Sequence, residues 1–187
     1  RGLTAARPGP CEKGFAMEYT DLVRARYSCR AFDGSRAVEP EKLAVVVEAA
    51  RVAPTAVNRQ PFHVWRLASE EARAAVAATC RFTFGAPEFL LVGAKADEAW
   101  TRRYDSANFA CVDASIAATQ MMLAAVDLGL GSTWVACFDA LALQAALPET
   151  AGYDLVALFP IGYPAPDAAP AEQHGHRKAV DELYSEL

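Results

Sequence analysis

The segment Phe109–Leu128 constrains the fold of this chain more than any other stretch. Phe109, Val112, Ile116, Thr119, Leu123 and Val126 recur at spacings of three and four, and Ala117, Met121, Ala124 and Leu128 fill the adjacent stripe. A helix with one apolar face can rest on a core, but one that is apolar on more than one side has to be enclosed. The pattern predicts a long helix from Ser106 to Leu128, central to the fold or buried between subunits. Its longest apolar run, from Ala114 to Val126, is shorter than the ~20 residues of a membrane helix and contains Gln120.

Around this helix the pattern alternates. Tyr19–Ala25 reads as a short helix that delivers Arg26 to a loop. Val38-Glu39-Pro40 opens a second helix with proline in its first turn, and Leu43, Val46, Val47 and Ala50 give it a buried face up to Ala53 before Pro54. His63–Ala68 is a strand, and Ser69 is an N-cap with Glu70 and Glu71 in the first turn of an Ala-rich helix. Phe89–Val92 is a continuous apolar strand. Ser132–Ala136 and Leu155–Phe159 complete the strands, with a helix starting at Asp139 between them and helical character returning over Lys178–Leu187. Interspersed strands and helices suit one α+β sandwich over residues 17–187 rather than two domains.

The chain has 187 residues, 53% of them apolar and 22% charged, enough for one domain that buries roughly 70% of its unfolded surface. A formal net charge of −5 argues against general binding to nucleic acid or anionic membrane, since both require a positive field. Clusters of arginine are then local chemistry. Five cysteines show no C-x-x-C pair and no metal-like spacing with His63, His174 or His176, so no metal site is expected and the thiols read as reduced, in a cytoplasmic protein. Residues 1–16 carry prolines and charges without an apolar run or a periodic face, and are expected to be a disordered extension with Met17 as a candidate natural start.

Two short stretches carry recognition chemistry. Arg26-Tyr27-Ser28-Cys29-Arg30 places two guanidinium groups and a hydroxyl together, suited either to a solvated basic turn or to gripping a phosphate by charge-assisted bonds. Pro54-Thr55-Ala56-Val57-Asn58-Arg59-Gln60-Pro61 ends a helix and offers the carboxamides of Asn58 and Gln60 to a polar heterocycle. Gly129-Leu130-Gly131 lies between a helix and a strand, the reverse of the order in a dinucleotide fingerprint, and reads as a helix C-cap and tight strand entry. His174, His176, Arg177 and Lys178 open a charged tail. No cysteine has a matched base, so none is expected to act as a nucleophile.

With Gly129-Leu130-Gly131-Ser132-Thr133-Trp134 and the terminal His176-Arg177-Lys178, these motifs make the chain resemble the FMN-dependent nitroreductase family from Tyr19 onward. The resemblance implies a three-layer α+β sandwich, a central mixed sheet flanked by helices, assembled as a homodimer with FMN at the interface. It implies that Arg26 takes the phosphate with Arg177 and Lys178, that Ser28 takes ribityl or phosphate oxygens, and that Arg30 meets the ribityl chain or the pyrimidine edge. Tyr27 falls within the same motif. The family pattern A-P-S-x-x-N-x-Q-P is matched with Thr55 in place of serine, so Pro54, Thr55, Asn58 and Gln60 would form the ring-side loop. Val135-Ala136-Cys137-Phe138, with Trp134 before them as a further cofactor contact, would pass beside the ring and offer a backbone N–H to N5, in a loop where relatives often place glycine. The implied activity is electron transfer from NAD(P)H through flavin to a nitroaromatic, a quinone or a similar small acceptor by a ping-pong mechanism. A flavin-sequestering or flavin-sensing protein, or a dehalogenase or ene-reductase on the same fold, would share these residues.

Overall fold

A computed structural model describes residues 18–187, so the expectation for residues 1–16 lies outside the described residues. In chain order the helices are α1 (Tyr19–Ala25), α2 (Pro40–Arg51), α3 (Glu70–Thr79), α4 (Ala110–Asp127) and α5 (Ala140–Ala146). The strands are β1 (Phe62–Arg66), β2 (Glu88–Ala94), β3 (Gly131–Ser132) and β4 (Asp154–Gly162).

The strands form one sheet in the order β1-β2-β4-β3, with every ladder antiparallel. Among the described residues the one parallel pairing is an isolated bridge outside the strands, Ser28 to Ser132. β2 is buried along its whole length, which is why it reads as an uninterrupted apolar run instead of alternating. Its residues divide by pleat: Leu90, Val92 and Ala94 face a core shared with α2 and α4, while Phe89 and Leu91 face a second core with α3 and α5. The result is three layers, helices on both sides of the sheet.

α4 packs against α2, β2 and β4, with Ala110, Ala114, Ala117, Ala118, Met121 and Ala125 buried. It is long and apolar enough to cross a bilayer by length and composition alone. Here it is a central helix of the fold, flanked by α2 and the sheet. It begins at Ala110, four residues later than expected, because Ser106 takes a left-handed φ of 58° and the Asn108 carboxamide oxygen accepts from the Ala110 N–H at 2.9 Å. Its end is the expected glycine cap: the Leu130 N–H donates to Ala125 O at 2.8 Å and the Gly129 N–H to Val126 O at 2.9 Å, with Gly129 at φ 75°. Ser69 caps α3 through the Ala72 N–H, and Asp139 caps α5 through the Ala142 N–H.

Two expectations are corrected. The strand expected over Ser132–Ala136 stops at Ser132, although Val135 still exchanges bonds with Leu158. Thr133 lies opposite Pro160, which has no N–H to return, so the ladder is interrupted there. The tail forms only short 3₁₀ turns, Glu172–Gly175 and Val180–Glu182, in place of a helix over 178–187. Val180, Leu183, Tyr184 and Leu187 are all exposed, and a ten-residue helix with nothing to pack on is unstable in water.

Candidate active site

The α1 helix ends at Ala25 and releases Arg26 into an extended segment that is pinned to the sheet next to β3. The Cys29 N–H donates to Ser132 O at 3.0 Å, and the Thr133 hydroxyl donates to Cys29 O. This fit depends on glycine. A Cβ on Gly131 would lie 2.8 Å from both Cβ and Sγ of Cys29 and 3.2 Å from Cγ of Pro164. Cys29 is therefore sealed into the core, while Arg26 and Ser28 are half-buried and Arg30 is exposed on the other side of the same segment. Tyr27 is half-buried against the second core; its hydroxyl is pushed above its ordinary pKa, chiefly by burial and then by the neighbouring Cys29.

The tail crosses back to this segment. Arg26, Ser28 and Arg30 line one cavity of about 240 Å³ with Ala171, Gln173, His174 and Arg177. Three guanidinium groups converge there and no carboxylate lines the wall. None of the three arginines has an ion-pair partner among the described residues. Their own bonds are local: Arg30 donates to Ser28 O at 3.3 Å, and Arg177 to His176 O at 2.8 Å with His174 Nδ1 3.5 Å away. Such a donor set, cationic and unneutralised, fits an anion with several oxygens. The volume lies below the ~300–1,000 Å³ typical of cavities that enclose a whole ligand, so it suits an anionic end group. The exposed Lys178 does not line it.

The 54–61 loop is a separate feature. Thr55 is extended, and Ala56–Asn58 form a 3₁₀ turn in which Val57 and Asn58 have φ of 47° and 56°; Gln60 follows at 53°. Three left-handed non-glycine residues in four positions, one of them β-branched, store strain of roughly 1–3 kcal/mol each. The Gln60 N–H donates to Thr55 Oγ1 at 3.0 Å, and the Gln60 carboxamide donates to Asn58 Oδ1 at 3.3 Å. Pro54 and Asn58 are exposed, and no hydrogen bond links this loop to the arginine cavity. Trp134 is half-buried, with its ring 5.2 Å from that of Phe159, and Val135 is buried. Ala136 and Cys137 are exposed and line a different cavity, of about 630 Å³, with Cys80, Arg81 and Phe82. Burial pushes the Cys80 thiol upward in pKa, against a smaller lowering by the Phe82 N–H.

The structure thus gathers Arg26, Ser28, Arg30 and Arg177 from opposite ends of the chain and leaves the 54–61 and 134–137 segments outside that cavity. It also adds residues to which the sequence reading gave no part in the site. Gln173 and His174 line the arginine cavity, and the histidine's proximity to a basic pair was the available signal. Asp113 was visible as a lone acid in the first turns of an apolar helix; it is buried and accepts from the Ala56 N–H at 2.9 Å.

Known proteins share this fold over most of the chain. A nitroreductase family protein from Clostridium difficile is 32% identical, with a TM-score of 0.83 over 90% of this chain and 98% of that one. A proposed nitroreductase from Desulfovibrio desulfuricans, solved in complex with FMN, is 26% identical with a TM-score of 0.74, covering 90% of this chain and 95% of that one. A proposed NAD(P)H:FMN oxidoreductase from Staphylococcus epidermidis shares the fold at 18% identity, with a TM-score of 0.78 over 96% and 100% of the two chains. Comparison with curated proteins gives no match. The family model for nitroreductases matches residues 23–81 and 73–163, and the chain belongs to the nitroreductase family.

Proposed function

We propose that this chain is an NAD(P)H-dependent flavin oxidoreductase that holds FMN and passes electrons to a small electrophile such as a nitroaromatic or quinone. The observation that carries the reading is the cavity in which Arg26, Arg30 and Arg177 converge with Ser28 and without any acid. A phosphate monoester brings about two negative charges and several acceptor oxygens, the complement of that wall. Bound FMN would supply the two-electron chemistry between donor and acceptor. The chain's part is to bind and orient: Arg26 and Arg177 hold the phosphate, Ser28 donates to phosphate or ribityl oxygens, and Arg30 presents a cation along the chain toward the ring. Membership of the family and the FMN complex of the Desulfovibrio relative support this assignment.

The chain acts as a homodimer in this reading. Val112 and Ile116 on α4 are 47% and 37% exposed, and they form an apolar groove with Tyr19, Leu22, Val52 and Leu123. A second copy covers that groove and brings its 54–61 loop, with Asn58, to the ring of the flavin held by the first. Donor and acceptor then use one open ring face in turn, which gives ping-pong kinetics. The assembly is cytoplasmic.

The test is an absorption spectrum of the purified protein reconstituted with FMN, followed by anaerobic addition of NADH and of NADPH. Bleaching of the bound flavin by either donor, and recovery of colour on adding a quinone, are expected. Stoichiometric yellow protein that neither donor bleaches would favour the sequestering role, and absence of FMN binding would overturn the site.

A further inference from the structure

We infer that Asp113 is the positioning residue of the flavin's ring-side loop: its buried carboxylate fixes the strained turn from which Asn58 reaches the ring. The inference rests on the flavin reading above.

Asp113 is 1% exposed and sits on α4 among the buried Ala110, Ala114 and Ala117. Oδ1 accepts from the Ala56 N–H at 2.9 Å, and Oδ2 is buried with no hydrogen-bond partner. A half-satisfied carboxylate in an apolar layer weakens a fold, and an apolar residue of similar size would pack there at lower cost. Its presence calls for a reason other than stability. The loop supplies one. Val57, Asn58 and Gln60 all lie in the left-handed region, a conformation that persists only where the surroundings over-determine it. The constraints on its backbone N–H groups are Asn58 to Thr55 O at 3.0 Å, Arg59 to Ala56 O at 3.2 Å, Gln60 to Thr55 Oγ1 at 3.0 Å, and Ala56 to Asp113. The first three stay within the loop and move with it. The fourth ties the start of the turn to the helix at the centre of the fold, whereas the loop's other outward bonds, Lys95 N–H to Pro61 O at 2.9 Å and the Arg59 guanidinium to Glu98 O at 3.5 Å, lie at its far end. Asp113 does not touch the flavin in this scheme and acts through Ala56 and the turn that follows.

The test compares FMN affinity and the visible circular dichroism of bound FMN in Asp113→Ala, Asn58→Ala, the double variant, Asp113→Asn and Arg177→Ala. Both single alanine variants at the loop are expected to bind FMN about tenfold more weakly and to change the visible dichroism in the same sense. The double variant should lose at most about twofold beyond the weaker single, because both changes abolish the same ring contact. Asp113→Asn keeps a carbonyl acceptor for Ala56 and should recover most of the affinity. Arg177→Ala should weaken binding while leaving the dichroism of the residual bound flavin as in the wild type. Asp113→Ser, whose hydroxyl is too short to reach Ala56, replaces the alanine variant if that one does not fold. Multiplicative losses in the double variant, or wild-type affinity and dichroism in Asp113→Ala alongside an impaired Asn58→Ala, would overturn the inference and leave the flavin reading standing. Failure of the wild-type protein to bind FMN would sink the flavin reading, and the role of Asp113 with it.

Discussion

Gly131→Ala is a small change whose consequence can be worked out from the geometry. The added Cβ meets Cβ and Sγ of Cys29 at 2.8 Å, closer than real carbon contacts come, and Cγ of Pro164 at 3.2 Å. Restoring ordinary contact of about 3.5–4.0 Å requires a displacement near 1 Å. The strand cannot supply it easily, since Gly131 and Ser132 are paired with Gly162 and Ile161 of β4. Cys29 cannot retreat within a filled core, where it is wholly buried. The segment that moves is therefore 28–30, breaking the bond from the Cys29 N–H to Ser132 O and shifting Ser28 and Arg30 relative to Arg177.

Overpacking of this kind costs about 1–3 kcal/mol, which for a chain of this size lowers Tm by roughly 2–12 °C. Losing the geometry of one or two charge-assisted bonds, each worth about 1.5–3 kcal/mol, should weaken FMN binding by at least about tenfold. Quenching of FMN fluorescence on titration with protein measures the second effect, and thermal melting of the apoprotein measures the first. Adding Cys29→Gly removes both sulfur and Cβ from the clash and should restore part of the binding. A Gly131→Ala protein that melts and binds FMN like the wild type would refute the claim that this glycine sets the position of the arginine segment.

Arg26→Ala and Arg177→Ala should each weaken FMN binding by roughly tenfold to a hundredfold and yield largely colourless protein on purification; full occupancy in both would remove the phosphate assignment. Ile116→Asp places a charge in the apolar groove and should shift light scattering from about twice the chain mass toward the single-chain value, with loss of flavin; an intact yellow dimer would move the interface elsewhere. Tyr163 donates to Glu39 at 2.7 Å, and that bond, ahead of the carboxylate's other neighbours, holds the Glu39 pKa below its ordinary range. A depressed carboxylate stabilises the fold above its unfolded value of about 4.3 and loses that contribution as pH falls through the folded value. Tyr163→Phe should therefore flatten the stability loss below about pH 4.3, and an unchanged acid limb would show that Glu39 is not the group responsible. Steady-state kinetics with NAD(P)H varied at several quinone concentrations should give parallel double-reciprocal lines, whereas intersecting lines would require a second substrate site.

The parts of the fold that sequence made legible are those dictated by local chemistry. Ser69, Asp139 and Gly129 mark helix ends because a hydroxyl, a carboxylate and a left-handed residue satisfy orphan groups in the same way in most folds. β2 was legible because burial on both faces leaves no polar alternation, and α4 because its apolar residues recur at spacings of three and four on its buried face and on the exposed one beside it. What stayed hidden depends on partners far along the chain. The early end of β3 follows from Pro160 standing opposite Thr133, and Thr133's own neighbours contain no sign of it. The loss of the tail helix follows from the absence of any surface for Val180, Leu183 and Tyr184 to cover. The cavity that unites Arg26 with Arg177 joins residues 151 positions apart, so only the family resemblance, and no spacing rule, could have paired them.

The same division explains how the chain can combine strain with a stable fold. The rigid parts, α4 and the sheet, are apolar and close-packed, and they contribute most of the burial that holds the domain together. The groups proposed to meet the cofactor are on segments with little burial of their own: an extended stretch after α1, a left-handed loop after α2, and a tail of 3₁₀ turns. The first two are held by the rigid part, through Gly131 against Cys29 for the first and Asp113 to Ala56 for the second. Unneutralised arginines repel one another, so the tail's approach to Arg26 is opposed by charge until an anion lies between them. In the proposed reading a bound phosphate offsets that repulsion and stabilises the tail against the 26–30 segment by mass action.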